Sequence, residues 1–439
     1  MIDSWFQLTE NGTNVRTEVV AGTTTFFTLA YIIFVQPALL GSVGMDFGAV
    51  FVATCLSGSI ATILMALFAN YPIAVAPAMG HNFFFAFTVV VAMEVPWPVA
   101  LGGVAVAGFL FILVAGFGLR ERLISAIPKS LKHAIAVGIG LLISMVGLQW
   151  GGIIVDSPGT LVTLGDLATL PVGVSCVGFL VAAILLAKKF QGAILIGIFA
   201  SGGMAWLTGV SEFKGIVSAP PSMGATFLQL DLVNAFRPEL FAVTFVFFFL
   251  ALFDSVGTLV GVADQAGLMR NGVLPRARGA LMADAVGTVV GASLGTSTVT
   301  AYIESAAGVA SGGRTGLTAV VISGLFIIAL FFSPLISMFG GGYHQTNGLT
   351  LYPVIAPALI LVGTMMMKGV KHIAWDDPTE AVPSFLTIVI MPLSVSITDA
   401  IAFGFITFTI MKLFTGRSGE VDWLVRIFTL LFLFRYIFL

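Results

Sequence analysis

The chain has 439 residues, 58% of them hydrophobic and only 9% charged, with a net charge of −2. A water-soluble chain carries about a quarter charged residues, so lipid must be the solvent for most of this surface. With no basic run and no acidic tail a nucleic-acid partner is excluded. The two cysteines, Cys55 and Cys176, lie in apolar stretches and form neither a disulfide framework nor metal-ligand spacing, so no cofactor or metal is expected.

Met1 to Arg16 is polar, without the pattern of a signal peptide. Apolar runs then predict fourteen membrane spans, some short or broken. The first seven cover 19–40, 47–69, 74–91, 97–117, 131–150, 171–187 and 191–208. The second seven cover 240–262, 278–296, 299–311, 315–338, 348–367, 382–397 and 398–414. A last apolar stretch, 422–439, contains Arg426 and Arg435 and reads as an interfacial or peripheral helix.

Positive charge tests this count. With the N-terminus inside, Arg16, Arg120, Arg122, Lys129, Lys132, Lys188, Lys189, Arg270, Arg276, Arg278, Arg314, Lys368, Lys371, Lys412 and Arg417 fall on the cytoplasmic side. Only Lys214 and Arg237 fall outside. Cytoplasmic loops collect Lys and Arg, and losing one span would invert every later loop. Seven spans per half place both termini in the cytoplasm and give the halves opposite orientation, the arithmetic of an inverted repeat. The fold class is therefore an all-α polytopic membrane protein of two inverted seven-helix repeats.

The third span of each half is interrupted. Ala76-Pro77-Ala78-Met79-Gly80-His81-Asn82 opens the third span, and Gly295-Thr296-Ser297-Thr298-Val299-Thr300-Ala301-Tyr302-Ile303-Glu304 opens the tenth. Irregular backbone survives at membrane depth only beside protein or a water cavity. Matching interruptions in two halves point to a central binding site.

Asp254, Asp284, Glu304 and Asp399 are the carboxylates inside proposed spans. Each costs at least about 2.5 kcal/mol to insert ionised, so each needs a partner, a cavity or a proton. Asp254, Gly257, Thr258 and Gly261 share one helical face. Glu304 follows the tenth-span interruption, and Asn82 holds the corresponding place in the third. Three polar groups converging from three helices would hold a flat, hydrogen-bonding solute, with Phe83, Phe84, Phe253 and Tyr302 as candidate stacking faces. Asp284 and Asp399 are equally explained by interhelical bonds. His81 lies beside the site and titrates near neutral pH in its ordinary state. Asp376, Asp377 and Glu380 read as a solvated cytoplasmic face rather than a metal site.

The run from Thr300 to Val320 (TAYIESAAGVASGGRTGLTAV) resembles the signature of the AzgA-like nucleobase permeases, a branch of the nucleobase–cation symporter-2 (nucleobase–ascorbate) superfamily. Leu252 to Val262, Ala76 to Asn82 and Gly215 to Pro221 agree, and the likeness runs from about Gly12 to Gly416 in the family's order. Two positions depart: His81 stands where Leu is expected and Gln36 where Asn is commoner. The resemblance implies a purine permease importing adenine, guanine or hypoxanthine with a proton across the cytoplasmic (inner) membrane. Short β-strands in spans 3 and 10 would pair near the midplane. A core domain would comprise 1–118 and 239–338, a gate domain 119–238 and 339–415, and 416–439 a C-terminal peripheral helix. By position, Asp254 and Glu304 would bind the base and couple it to the proton. Asn82 matches an Asn of this branch, Phe83 and Ile303 would offer backbone groups, Tyr302 would flank the base, and Thr258 lies on the Asp254 face. An elevator-like homodimer is expected.

Other classes fit less well. An anion exchanger calls for cationic or dipolar groups at the broken spans, without paired carboxylates. The functional alternative is a uracil/xanthine-type or anion transporter of the same fold, or a channel. No catalytic constellation of an enzyme and no P-loop is present.

Overall fold

The computed structural model describes residues 2–117, 128–237, 240–269, 274–345 and 348–438. Arg120, Arg122 and Arg270, three of the cations used for topology, lie outside them. So does the side chain of Arg435.

Among the described residues, eight helices are long and apolar enough to cross a membrane: Val15–Gly41, Phe47–Ala69, Trp97–Gly116, Lys129–Trp150, Leu170–Ala187, Phe241–Gln265, Gly316–Gly340 and Ile397–Phe414. At the other predicted positions stand Met79–Ala92 and Ala193–Leu207, Ala277–Leu294, the strand Val299–Ala301 with the helix Ser305–Ala310, Ala356–Met366 and Pro378–Ser394. The fourteen segments follow the predicted order and are called spans 1 to 14 below.

Spans 1 to 4 pack chiefly among themselves and with spans 8 to 11; span 5 packs on spans 12 and 13, spans 6 and 7 pack on each other and on span 12, and span 13 packs on span 14. Missing side chains permit the closest approaches. A Cβ on Gly308 of span 10 would stand 2.1 Å from Thr25 Oγ1 of span 1. One on Gly363 of span 12 would stand 2.0 Å from Ser144 Oγ of span 5. Small residues at such crossings are what holds helices together where lipid offers no hydrophobic drive.

The two interruptions meet. Strand β1 (Val75–Pro77) of span 3 pairs antiparallel with the tenth-span strand Val299–Ala301, with Val75 opposite Ala301, Ala76 opposite Thr300 and Pro77 opposite Val299. A two-stranded ribbon leaves outer backbone groups unpaired, and at membrane depth each needs a partner. Side chains supply them in a two-fold pattern. Thr62 of span 2 donates its hydroxyl to the Val75 carbonyl (2.9 Å) and accepts from the Val75 N–H (3.0 Å). Thr288 of span 9 does the same for Val299, at 3.0 and 3.3 Å. Ser305 accepts from the Ala74 N–H (3.0 Å), and Asp284 accepts from the Ala301 N–H (3.3 Å). Spans 2 and 9 are repeat equivalents, so the pattern is the inverted repeat expressed in hydrogen bonds.

The structure departs from the predicted segments in four places. Span 1 is broken: helix Val15–Leu29 ends, the next begins at Ile32, and i→i−3 bonds tighten the chain between them. Span 3 continues past its first turn as a π-helix, Phe84–Ala92. Span 12 becomes helical only at Ala356, after a strand at Thr350–Leu351 and a turn over 353–355. A hairpin, Tyr343–His344 with Thr350–Leu351, fills the space before it. Another hairpin, Ile154–Ser157 with Leu161–Leu164, occupies the connection between spans 5 and 6.

The C-terminal helix Trp423–Phe438 lies against span 14, tied by Thr409 to Thr429 (2.8 Å) and by the Tyr436 hydroxyl to Asp399 (2.7 Å). Asp377 and Glu380 are less free than a solvated face. Both reach the buried Lys412 ammonium, at 3.7 and 2.9 Å, and Arg417 joins Asp377 to Glu420 at 2.7 Å each.

Candidate functional site

Span 8 is one unbroken helix, Phe241–Gln265, and its 3.6-residue period presents Asp254, Gly257 and Thr258 to one cavity of about 350 Å³. Span 3 adds Gly80 and His81, span 5 adds Lys129, Lys132, His133 and Ile139, and Met366 of span 12 completes the wall. The Asp254 side chain is 50% exposed, into this space. Its Oδ2 accepts from the Thr300 hydroxyl at 3.1 Å and faces His81 Nδ1 at 3.9 Å. Phe253 lies alongside, with the Lys132 ammonium 5.3 Å from its ring centre, a cation–π distance. The result is a carboxylate, an imidazole, an aromatic face and a hydroxyl around one pocket.

Glu304 faces a different cavity, of about 370 Å³. It follows the tenth-span strand and precedes the short helix Ser305–Ala310. Tyr31 donates its hydroxyl to Glu304 Oε1 at 2.7 Å, and Thr28 donates to the Glu304 carbonyl at 3.4 Å. The break in span 1 is what lets Tyr31 reach across. Ile303, Lys189, Gln191 and Met365 line the same space. Met365 and Met366 are consecutive residues of span 12, so one short stretch of that helix stands at both cavities.

The expected convergence of Asp254, Glu304 and Asn82 on one pocket is therefore not what the structure shows. Asn82 is fully buried and lines neither cavity. It donates its amide to Gln36 Oε1, and Gln36 in turn donates to Thr296 at 2.9 Å. Three interrupted spans, 1, 3 and 10, are stitched by that chain. Phe83 and Phe84 are fully buried too, Phe83 against Phe87 and Phe84 against Phe247. The Tyr302 hydroxyl bonds the Pro77 carbonyl and closes the end of the ribbon. Asp284 serves the Ala301 N–H, and Asp399 serves Tyr436, so neither lines the two cavities.

Four contributors escaped the sequence reading. Tyr31 carried one signal, a phenol in an apolar run that must find a partner. Thr300 sat in view within the interruption, yet its direction is set by the ribbon register. Lys132 reads as a loop-side charge until span 5 is placed against span 8. Glu18 lies one residue before the predicted first span. It is fully buried, and its carboxylate accepts from the N–H groups of Arg314 (2.9 Å), Thr315 (3.3 Å) and Thr318 (3.1 Å), and from the Thr318 hydroxyl (2.6 Å). A carboxylate at the N-terminus of span 11 satisfies helix-end donors and the helix dipole together.

The comparisons agree with this architecture. The transmembrane domain of a cyanobacterium bicarbonate transporter, BicA, superposes with a TM-score of 0.63 at 16% identity, over 88% of this chain and 97% of that one. SLC26A9 gives 0.64 at 9% identity, over 94% of this chain and 68% of that one. Both likenesses are of fold alone. In sequence, the chain is 46% identical to the adenine permease AdeP of Escherichia coli, covering 100% of this chain and 96% of that one. It is 42% identical to the guanine/hypoxanthine permease PbuG of Bacillus subtilis, covering 99% of each. The Permease family model Xan_ur_permease matches residues 16–403. The chain is thus a multi-pass membrane transporter rather than an enzyme, and it belongs to the Permease family.

Proposed function

We propose that the protein imports a purine nucleobase (adenine, hypoxanthine or guanine) with a proton across the cytoplasmic membrane. The observation that carries this is the Asp254 cavity. About 350 Å³ is at the lower end of ligand pockets, room for a flat bicyclic solute between Phe253 and the polar wall. A purine presents ring N–H groups, and an ionised carboxylate accepts such donors in charge-assisted bonds. Relatives named for adenine and for guanine and hypoxanthine support the same substrate class.

Asp254 and Glu304 are the groups proposed to bind the base and couple it to a proton. A carboxylate that is ionised in the cavity is costly to carry through the membrane, and a proton removes that cost. Thr258 lines the base cavity; Ile303 lines the Glu304 cavity; Asn82, Phe83 and Tyr302 hold the ribbon and half-helix behind them. Lys129, Lys132 and Lys189, all cytoplasmic in the positive-inside reading, wall the two cavities. We therefore read this state as open to the cytoplasm, with both termini on that side. Spans 1–4 and 8–11 form the moving core, spans 5–7 and 12–14 the gate, and withdrawal of Met365 and Met366 joins the cavities during the cycle. A homodimer is proposed as the working unit.

Uptake of labelled adenine, hypoxanthine, guanine, xanthine and uracil into cells lacking their own nucleobase transporters tests the reading. Saturable purine uptake abolished by a protonophore is expected. Uptake of none of the purines, or purine uptake indifferent to the protonophore, sinks it.

A further inference from the structure

His81 is walled in without being satisfied. Its side chain is 4% exposed, and among the described residues neither ring nitrogen has a hydrogen-bond partner. Buried polar groups nearly always have one. The polar neighbours within reach are the Asp254 carboxylate, 3.9 Å from Nδ1, and the main-chain carbonyl of Leu250. Both are acceptors. A neutral imidazole carries a single N–H and an imidazolium carries two. With His81 neutral and Asp254 ionised, the pair is one proton short of satisfying itself.

Asp254 divides its oxygens. Oδ2 takes the Thr300 hydroxyl and faces His81, while Oδ1 has no protein hydrogen bond among the described residues. The half-exposed carboxylate therefore has one oxygen for the protein and one for a solute.

We propose that His81 and Asp254 form one proton-holding dyad, in which the transported proton is carried on Nδ1 or Oδ2, the two closing from 3.9 Å to hydrogen-bond distance as it binds, while the base bonds Oδ1. This rests on the reading of the protein as a proton-coupled purine importer, and it moves the coupling site away from Glu304. One proton binds the dyad on the outer side and one leaves it on the cytoplasmic side; no other bond changes. Loaded, the dyad is neutral, as imidazolium with carboxylate or imidazole with carboxylic acid. Empty, it carries one negative charge. The other ionisable groups lining its cavity are Lys129, Lys132 and His133 on span 5; Asp284 on span 9, Glu304, Tyr31 and Tyr302 lie behind it, close enough to feel the Asp254 charge. The span 5 lysines offset the empty dyad's charge when the cavity faces them. Glu304 keeps its own hydrogen-bond donor, the Tyr31 hydroxyl.

The test uses the full chain in proteoliposomes with the membrane potential clamped. Wild type, His81→Leu and His81→Gln are compared in two assays: exchange of labelled purine at equal pH, and accumulation under a pH gradient of one unit. One coupled proton supports about tenfold accumulation under that gradient. Both variants are expected to accumulate no purine while still exchanging it, at a rate lowered by the altered cavity wall. A His81→Leu protein that accumulates like wild type overturns the dyad. Should exchange also vanish in both variants, nitrogen-labelled histidine spectra of the wild type decide. The chain has 4 histidines, assignable by substitution. The His81 resonance is expected to titrate and to shift when base is added; a resonance that does neither overturns the proposal. Wild type that exchanges no purine overturns instead the functional reading beneath it.

Discussion

The two carboxylates that mark this protein keep different company. Asp254 stands on a continuous helix, half exposed, with one oxygen held by Thr300 and an unsatisfied His81 nearby. Glu304 stands at a break in its span, held by the phenol of Tyr31, which is itself brought across by a break in span 1. A carboxylate with a strong neutral donor is a fixed point. One with a free oxygen and a titratable neighbour is poised to exchange partners. Similar residues thus occupy unlike positions, and the difference lies in the elements that present them.

Asp254→Asn takes away the charged acceptor proposed for the base. Loss of a charge-assisted bond is worth about 1.5–3 kcal/mol, so purine affinity should fall by roughly one to two orders of magnitude, read as KM or as Kd in detergent. Affinity within twofold of wild type would place the base elsewhere. Gln36→Leu strands the Asn82 amide and the Thr296 hydroxyl. It should lower stability by about 1–3 kcal/mol, seen as a drop in Tm, with purine selectivity unchanged. Altered selectivity would mean that the Gln36–Asn82–Thr296 chain touches the solute.

Tyr31→Phe removes the donor of Glu304 and should cost about 1 kcal/mol in affinity or stability. Combined with Asp254→Asn, the two effects should add within about 0.5 kcal/mol if the cavities act separately. A coupling energy well above that would make the two carboxylates one site. Thr300→Val removes a single neutral donor from Asp254, and about 1 kcal/mol corresponds to a several-fold rise in KM.

The smallest effect lies far from either carboxylate. Arg417 and Lys412 hold the Glu420 carboxyl down at about 2, against an ordinary 4.5. A depressed carboxyl stabilises above its ordinary value and loses that contribution as pH falls toward its folded value. Protease protection of the C-terminal helix should therefore be unchanged from pH 7 to 5 and decline only below pH 4.5. Release at pH 6 would show that other groups hold this end.

Much of the fold was legible because lipid imposes simple rules. Span lengths, the bias of Lys and Arg, and the interruptions at Pro77 and Gly295 each report a one-dimensional constraint. The Asp254 face was legible for the same reason, since a continuous helix projects its period directly. The partners of Glu304 were not, because Tyr31 lies 273 positions away and reaches it only through a broken helix. Nor was the role of Asn82, whose amide is taken by Gln36 across 46 positions. The late start of span 12 was not legible either, because an apolar run does not show that Thr350 and Leu351 pair with His344 and Tyr343.

Residence in a bilayer, the order of the fourteen membrane segments, and the carboxylates too costly to be idle are written along the chain. Those follow from transfer free energy, which sums along the chain and needs no neighbours. Helix packing sets that Asp254 and Glu304 line separate cavities, that Thr62 and Thr288 complete the ribbon as a two-fold pair, and that His81 faces Asp254 with neither ring nitrogen hydrogen-bonded among the described residues. Those are matters of direction and distance between distant segments, and they exist only once the helices are packed.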